Sequence, residues 1–474
     1  MKRYTFLYFL LILTLPLVIA PLLFDQNQSM IALFISIVAL WFTELVPLAV
    51  TGILVPTLAC CYGITDPKSA FAPFGNQILF LFIGAFFLGK AIQTYRLDKR
   101  VAYSILSTKL CSYSLNTLIA IFALICWFLS MWISNTATCV IMTPIALGIS
   151  EIIGDNFSEE KSHKNFTICI LLITAFASSI GGLATPIGTP PNVLAIEYLA
   201  ELNQTISFLD WMKIGVPISL CMLVALLLIL KLKLRFSKID LSEIRLLFKQ
   251  KLRELGKISG SEIAVSCCFL MAIVLWILPG VLAQCFPESQ SILLINKTLT
   301  MGIVALIASI PLFLIPTRDG ETILTWEQAQ DIDWGTVLLF GGGLCLGNLL
   351  SETGLAATLG ESMFSSTSSI ATATAVAVLS GIILSEFSSN TAATAILVPI
   401  IAATFGTTGD SSIATLIIAA AFGASYGFML PVSTPPNAIV YGTGKVPLGE
   451  MIKAGVIFDF TGFVIINLLL HLFL

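Results

Sequence analysis

Apolar runs as long as a lipid bilayer is thick limit this chain more than any other feature. Ile263 to Ala283, IAVSCCFLMAIVLWILPGVLA, carries no charge. A helix needs only about 20 apolar residues to cross a hydrocarbon core of about 30 Å. Comparable stretches lie near 5–24, 29–45, 46–64, 76–96, 166–200, 211–233, 292–315, 333–351, 412–442 and 453–473. Of the 474 residues, 57% are hydrophobic and 11% charged, where a soluble protein carries about 25% charged residues. Lipid must cover much of the surface, so the sequence predicts an all-α polytopic membrane protein.

Other classes are disfavoured by what the chain lacks. Net charge is −3 without a basic stripe, which argues against a nucleic-acid partner. Eleven cysteines are scattered without a CxxC pair, and His163 and His471 are the only histidines. An imidazole or thiolate metal site is not expected, and the cysteines read as small buried hydrophobes. A nucleophile paired with a base is not evident, so the chain does not read as an enzyme. The start, MKRYTFLYFLLILTLPLVIAPLLF, is positive like a signal peptide. Its apolar run is too long for one and has no small-x-small cleavage site, so residues 1–28 read as a retained first span.

Two further pairs of apolar runs are short, at 115–133 and 136–150 and at 370–387 and 391–405. Each pair meets at the same polar tripeptide, in SNTATCVIMTPI (Ser134–Ile145) and in SNTAATAILVPI (Ser389–Ile400). Non-helical backbone at membrane depth survives only where protein or a watery cavity covers it. Both pairs therefore read as re-entrant hairpins, near 115–150 and 370–405, which leaves about eleven full spans. Cytoplasmic loops are rich in Lys and Arg, and the basic residues fit that count. Lys2 and Arg3, then Arg96, Lys99 and Arg100, then Lys109, Lys161 and Lys164 fall on one side. So does the segment 231–257, with nine Lys/Arg against three acids. The N-terminus is expected in the cytoplasm and the C-terminus outside.

The tripeptide is one of four echoes in the same order. NQILFLFIGAFFLGKAI (76–92) parallels GTVLLFGGGLCLGNLL (335–350), and AFASSIGGLATPIGTPPNVL (175–194) parallels AAFGASYGFMLPVSTPPNAI (420–439). DWMKIGVPISL (210–220) parallels GEMIKAGVIFDF (449–460). Residues 29–233 and 262–474 thus read as two repeats, joined by a basic cytoplasmic connector at 234–261. An odd number of crossings per repeat makes the second copy inverted, a plan typical of secondary transporters with broken helices at the midplane.

Ser134-Asn135-Thr136 and Ser389-Asn390-Thr391 each end one helix and begin another, which leaves free carbonyls on one side and free amides on the other. Carbonyl ends favour cations and amide ends favour anions. GTPPN (Gly188–Asn192) and STPPN (Ser433–Asn437) interrupt long spans, because paired prolines remove donors and disfavour helix in the preceding residue. Breaks are expected near 188–191 and 433–436, with carbonyls freed at Gly188 and Ser433. No Lys, Arg or His lies within these motifs. A bound carboxylate would therefore rely on neutral donors and co-bound cations. All-oxygen ligands suit a hard cation such as sodium. Within spans, Glu386 stands three residues before Ser389 and reads either as a proton or cation-site residue or as a structural anchor. Glu44 reads as structural, and Lys90 as snorkelling.

The two SNT tripeptides, the two TPPN breaks and WFTELVPLAVTGILVP (41–56) together resemble the divalent anion:sodium symporter (DASS) family, which includes the INDY dicarboxylate transporters. The resemblance covers nearly the whole chain. It implies an elevator-type homodimer in a bacterial inner membrane, with both hairpins and both broken spans in a mobile transport domain. Carried onto this chain, it implies one sodium held by Ser130, Ser134, Asn135 and Gly188, and a second held by Ser385, Ser388, Asn390 and Ser433. Substrate carboxylates would meet Asn135, Thr136, Thr189, Asn390, Thr391, Thr434 and Pro435. Ser385, Ser388 and Ser433 stand where Thr or Ala can occur in relatives, which weakens side-chain claims at the second sodium. The expected activity is sodium-coupled uptake of succinate, malate or fumarate. Sodium-independent dicarboxylate, citrate or tartrate exchange and sulfate transport remain as alternatives.

Overall fold

Residues 5–23, 27–154, 160–231, 241–406 and 412–473 are described by a computed structural model. Lys2, Arg3 and the part of the basic connector at 232–240 lie outside the described residues. Helices account for the architecture, and the one β-type pairing among the described residues is an isolated bridge between Pro316 and Thr322.

In chain order the helices are α1 (Thr5–Leu23), α2 (Gln28–Thr43), α3 (Leu48–Cys61), α4 (Pro67–Phe71), α5 (Gln77–Thr94), α6 (Leu97–Leu106), α7 (Leu115–Ser130) and α8 (Asn135–Gly154). Then come α9 (Glu160–Gly182), α10 (Pro190–Glu201), α11 (Phe208–Lys231), α12 (Ser242–Glu254), α13 (Gly260–Cys285), α14 (Gln290–Thr298), α15 (Met301–Ser309) and α16 (Trp326–Gln330). The chain ends with α17 (Trp334–Glu352), α18 (Leu355–Phe364), α19 (Ile370–Phe387), α20 (Asn390–Phe405), α21 (Ser412–Ala424), α22 (Pro435–Gly442) and α23 (Leu448–Phe473).

Among the described residues, eight helices are long and apolar enough to cross a membrane, or nine if the bent pair α14 and α15 is one span. Length alone does not separate crossing from re-entry, since the hairpin arms α8 and α19 are among the eight while α2 and α3 fall short. The stretch 292–315, read as one span, divides between α14 and α15 at an angle of 69°. Polar Asn296, Lys297, Thr298 and Thr300 cluster at that division, so the apolar helix starts only at Met301.

Packing follows a two-fold logic. α3 lies along α17 and α15 along α5, while α7 and α9 pair as α19 and α21 do. α10 packs on α20 and α21, and α22 packs on α8 and α9. Small residues permit the closest of these approaches. A Cβ on Gly52 would strike the Leu338 backbone, and one on Gly342 would strike that of Gly52. One element breaks the symmetry: α17 packs along α20, whereas α5 and α8 have next to no contact.

Short amphipathic helices flank this bundle. α6 and α12 pack together, pinned by Arg100, which donates to Glu262 (2.6 Å) at the start of α13 and to the carbonyls of Gly256 (3.0 Å) and Leu255 (3.2 Å).

Candidate functional site

Both SNT tripeptides are helix starts built in the same way. Ser134 Oγ accepts from the Ala137 amide at 3.2 Å, and Ser389 Oγ accepts from the Ala392 amide at 3.2 Å. Each hydroxyl satisfies one of the amides that a helix N-terminus leaves free. One residue further on, Asn135 Oδ1 accepts from Ser130 Oγ (2.6 Å) and Asn390 Oδ1 accepts from Ser385 Oγ (2.7 Å). Ser130 and Ser385 are fully buried at the ends of the incoming helices. Both asparagines are thereby fixed in rotamer at the two tips.

The breaks match as well. α9 stops at Gly182 and α21 at Ala424, and the next helices start at Pro190 and Pro435. Thr189 (φ −150°, ψ 144°) and Thr434 (φ −152°, ψ 143°) are extended just before the proline pairs, the conformation a following proline favours. Proline at the first helical position gives up an amide that has no intrahelical partner there. Asn192 Nδ2 bridges the carbonyls of Gly182 and Thr185, both at 2.8 Å. Asn437 Nδ2 bridges those of Gly427 (3.0 Å) and Leu430 (3.1 Å). The prolines mark the breaks in the sequence, while the task of these asparagines is not visible there, although each stands directly after its proline pair. They hold the unwound backbone in one shape. A Cβ on Gly182 would come within 2.5 Å of Asn135 Oδ1, so this glycine lets the first break sit against the first tip.

All four motifs meet at one cavity of about 550 Å³. Asn135, Thr136, Thr189, Asn390, Thr391, Thr434 and Pro435 all line it, together with Ser134, Gly188, Ser389 and Ser433. Ser130, Ser385 and Ser388 stand behind the lining, with Ser388 Oγ donating to the Leu384 carbonyl at 2.9 Å. The opposite wall was not foreseen from sequence. It comes from Pro47, Phe82, Phe86, Thr336 and Leu339, with Glu44 and Asp333 also at the cavity. All but Asp333 lie in segments matched in the sequence, 41–56, 76–92 and 335–350, but spacing alone does not show that these segments face the tips. Another cavity, of about 580 Å³ near Gln77, Asp210 and Trp276, contains no residue of the SNT tripeptides or the TPPN breaks.

The electrostatics come from backbone. The N-termini of α8, α10, α20 and α22 all reach the cavity with the positive end of a helix dipole; α8 and α20 also bring free first-turn amides, while α10 and α22 open with proline pairs that have none. No Lys, Arg or His is among the lining residues. Such a site can take an anion on neutral donors, while the carbonyl-bearing ends of α7, α9, α19 and α21 supply oxygens for hard cations. Among the described residues no group of His, Cys, Asp and Glu is arranged to hold a transition metal. The string Gly423-Ala-Ser-Tyr-Gly427 has the spelling of a GxSxG nucleophile turn. Ser425 is buried there and its hydroxyl donates to the Ala421 carbonyl at 3.0 Å, so it is a helix-end bond and not a presented nucleophile.

Glu386 is buried and works as a brace. Its Oε1 accepts from the Met429 amide (2.9 Å), and its Oε2 from the Leu430 amide (3.2 Å) and Ser433 Oγ (2.8 Å). Glu44, in the left-handed region at φ 47°, closes the end of α2 through its amide to the Leu40 carbonyl. Lys90 pairs with Asp331.

Comparison with known proteins shows what the chain is similar to. The chain is 34% identical over 480 residues to the sodium-dependent dicarboxylate transporter SdcS of Staphylococcus saprophyticus, covering 98% of this chain and 89% of that one. It is 34% identical over 460 residues to the protein of the same name from Staphylococcus aureus, covering 94% and 86%. Its fold resembles the YdaH transporter of Alcanivorax borkumensis, with a TM-score of 0.57, 16% identity and 85% of each chain covered. The profile described as the sodium:sulfate symporter transmembrane region matches residues 2–473. The chain is an integral membrane protein of this transporter family, the sodium:sulfate symporters of the divalent anion:sodium symporter group.

Proposed function

We propose that the protein takes up C4 dicarboxylates of the succinate, malate and fumarate class, driven by sodium. The convergence of four helix N-termini on one cavity without a basic side chain carries this reading. A dianion held by neutral donors needs its charge offset by co-bound cations, and the names of the SdcS relatives specify sodium and a dicarboxylate.

In this reading the first sodium lies among Ser130, Ser134, Asn135 and Gly188, and the second among Ser385, Ser388, Asn390 and Ser433. Asn135, Thr136, Thr189, Asn390, Thr391, Thr434 and Pro435 hold the carboxylates between them. Residues 29–233 and 262–474 form inverted repeats, and the protein works as a homodimer in a bacterial plasma membrane. The hairpins and breaks move as one body against α5 and α17, elevator-fashion. The unequal contacts of α17 with α20 and of α5 with α8 support a two-state device caught in one state. With Glu44 and Asp333 on the cytoplasmic side, as the basic loops suggest, that state opens to the cytoplasm.

The test is uptake by reconstituted protein with competition from succinate, malate, fumarate, citrate, tartrate and sulfate. C4 dicarboxylates should compete best, and Asn135→Ala or Asn390→Ala should abolish uptake while the protein still inserts. Unchanged sodium-dependent uptake in either variant contradicts the site, and preferential competition by sulfate contradicts the substrate class.

A further inference from the structure

The cavity of about 580 Å³ near Gln77, Asp210 and Trp276 has a wall built on the same plan as the wall that faces the tips. Two contacts fix the register between them. A Cβ on Gly335 would meet Ala49 Cβ, and a Cβ on Gly302 would strike the Gln77 carbonyl. A Cβ on Gly342 would strike the Gly52 backbone, and one on Gly84 that of Ala305. Ala49 on α3 therefore corresponds to Gly302 on α15, and Gly52 to Ala305, at one and the same spacing. In that register Val46, Pro47 and Leu48 of the site cavity answer to Leu299, Thr300 and Met301 of the other. One pair reverses charge: Glu44 answers to Lys297, and each stands at its cavity. The helix caps differ in the same sense. α17 is capped by Asp333 at the site cavity, and α5 by neutral Asn76.

The two walls face opposite sides of the membrane. α13 leaves the basic connector at Gly260 and ends at Cys285, and its 26 residues are enough to cross. With the basic loops in the cytoplasm, Lys297 on α14 falls on the extracellular side, opposite Glu44 and Asp333. Lys297 is exposed and forms no ion pair among the described residues. Two carboxylates line its cavity as well, and both are engaged. Glu197 accepts from Asn76 Nδ2, and Asp210 accepts from Lys213 (2.8 Å) and Ser207 Oγ (2.6 Å). Glu197 lies on α10, which continues directly from the first break, whereas Lys297 belongs to the wall.

We propose that Lys297 is a steering residue that draws the dicarboxylate to the extracellular mouth, and that Glu44 and Asp333 speed its release at the cytoplasmic mouth. This rests on the transport reading above, in which the tips pass from the Pro47 wall to its Thr300 counterpart. Charge is then positive where the dianion enters and negative where it leaves. Attraction of this kind raises encounter rates and fades with salt. Lys297 acts on arrival, without touching the bound substrate.

The experiment compares the succinate KM on the two faces, in right-side-out and inverted membrane vesicles, at saturating sodium. Lys297→Gln should raise the external KM about fivefold at low ionic strength, the scale of one charge lost several Å from a dianion in water. The maximal rate and the internal KM should not change, and Lys297→Arg should behave as wild type. Added choline chloride should bring the wild-type external KM towards that of Lys297→Gln. Glu44→Gln combined with Asp333→Asn, which keeps a capping side chain on α17, should lower the internal KM and leave the external one alone. An external KM in Lys297→Gln equal to that of the wild type overturns the proposal. So does a shift that persists at high ionic strength, or one of equal size on both faces. Should Lys297→Gln not insert, the wild type still decides, because an external KM indifferent to choline chloride overturns the proposal. Sodium-independent uptake by the wild type would overturn the transport reading instead, a result distinct from any of these.

Discussion

Asparagine decides the chemistry at the residue scale. Asn135 and Asn390 sit at the tips, each locked by a buried serine, and Asn192 and Asn437 stitch the breaks. The tip pair was legible because SNT is polar spelling inside apolar sequence. The stitching pair was written just as plainly, but its task depends on which carbonyls the unwound backbone presents, and spacing does not encode that. Glu386 was legible as an ionisable residue in a span, while its partners come from a segment more than forty residues away in sequence. Close approach gives the first prediction. A methyl group on Gly182 would run into Asn135, so Gly182→Ala should cut uptake roughly tenfold or more, as small misplacements of binding groups do. Gly427→Ala should act likewise, since its Cβ would meet Ser433 and Ser385. Uptake by correctly inserted protein, judged by gel filtration in detergent, is the measurement. Wild-type rates in both variants would contradict the packing described.

The long apolar runs and paired prolines mark most of the long helices and both breaks, whereas the bend within 292–315 and the short amphipathic helices depend on contacts that hydropathy does not record. α6 and α12 are polar, brief and defined by tertiary contacts, so hydropathy has little to grip. Arg100 shows what holds them. It pairs with Glu262 where both side chains are largely buried, 13% and 7% exposed. Leaving one partner of a buried pair alone costs about 3–5 kcal/mol. Arg100→Ala should therefore lower the unfolding temperature markedly, and Arg100→Ala with Glu262→Gln should recover part of the loss. Equal melting of all three proteins would refute the anchor. Asp98 on α6 gives a pH signature. Burial pushes its carboxyl up to about 6, while the Lys99 amide donates to it at 2.6 Å. Only the folded chain resists its ionisation, so the protein is most stable below the ordinary carboxylate range. Stability then falls as pH rises, levelling off above about 6. Asp98→Asn should raise stability above pH 6 by up to roughly 3 kcal/mol and leave it unchanged near pH 4, read from melting curves across that range.

The whole molecule has matched halves in unequal contact, and this asymmetry was beyond the reach of sequence, because both repeats spell the same elements. Gly343 on α17 lies against Ala395 on α20, where a Cβ would approach to 2.9 Å. If the hairpins travel past α17, cysteines at 343 and 395 in a cysteine-free background should be bridged by mercury and stop uptake, and thiol should restore it. Undiminished uptake after bridging would contradict sliding at this contact. Succinate accumulation in proteoliposomes under an inward sodium gradient measures directly whether sodium drives a dicarboxylate through a site without basic residues. Succinate should accumulate above equilibrium, and the accumulation should vanish when choline replaces sodium. Equal uptake without sodium, or uptake only into vesicles preloaded with dicarboxylate, would contradict it.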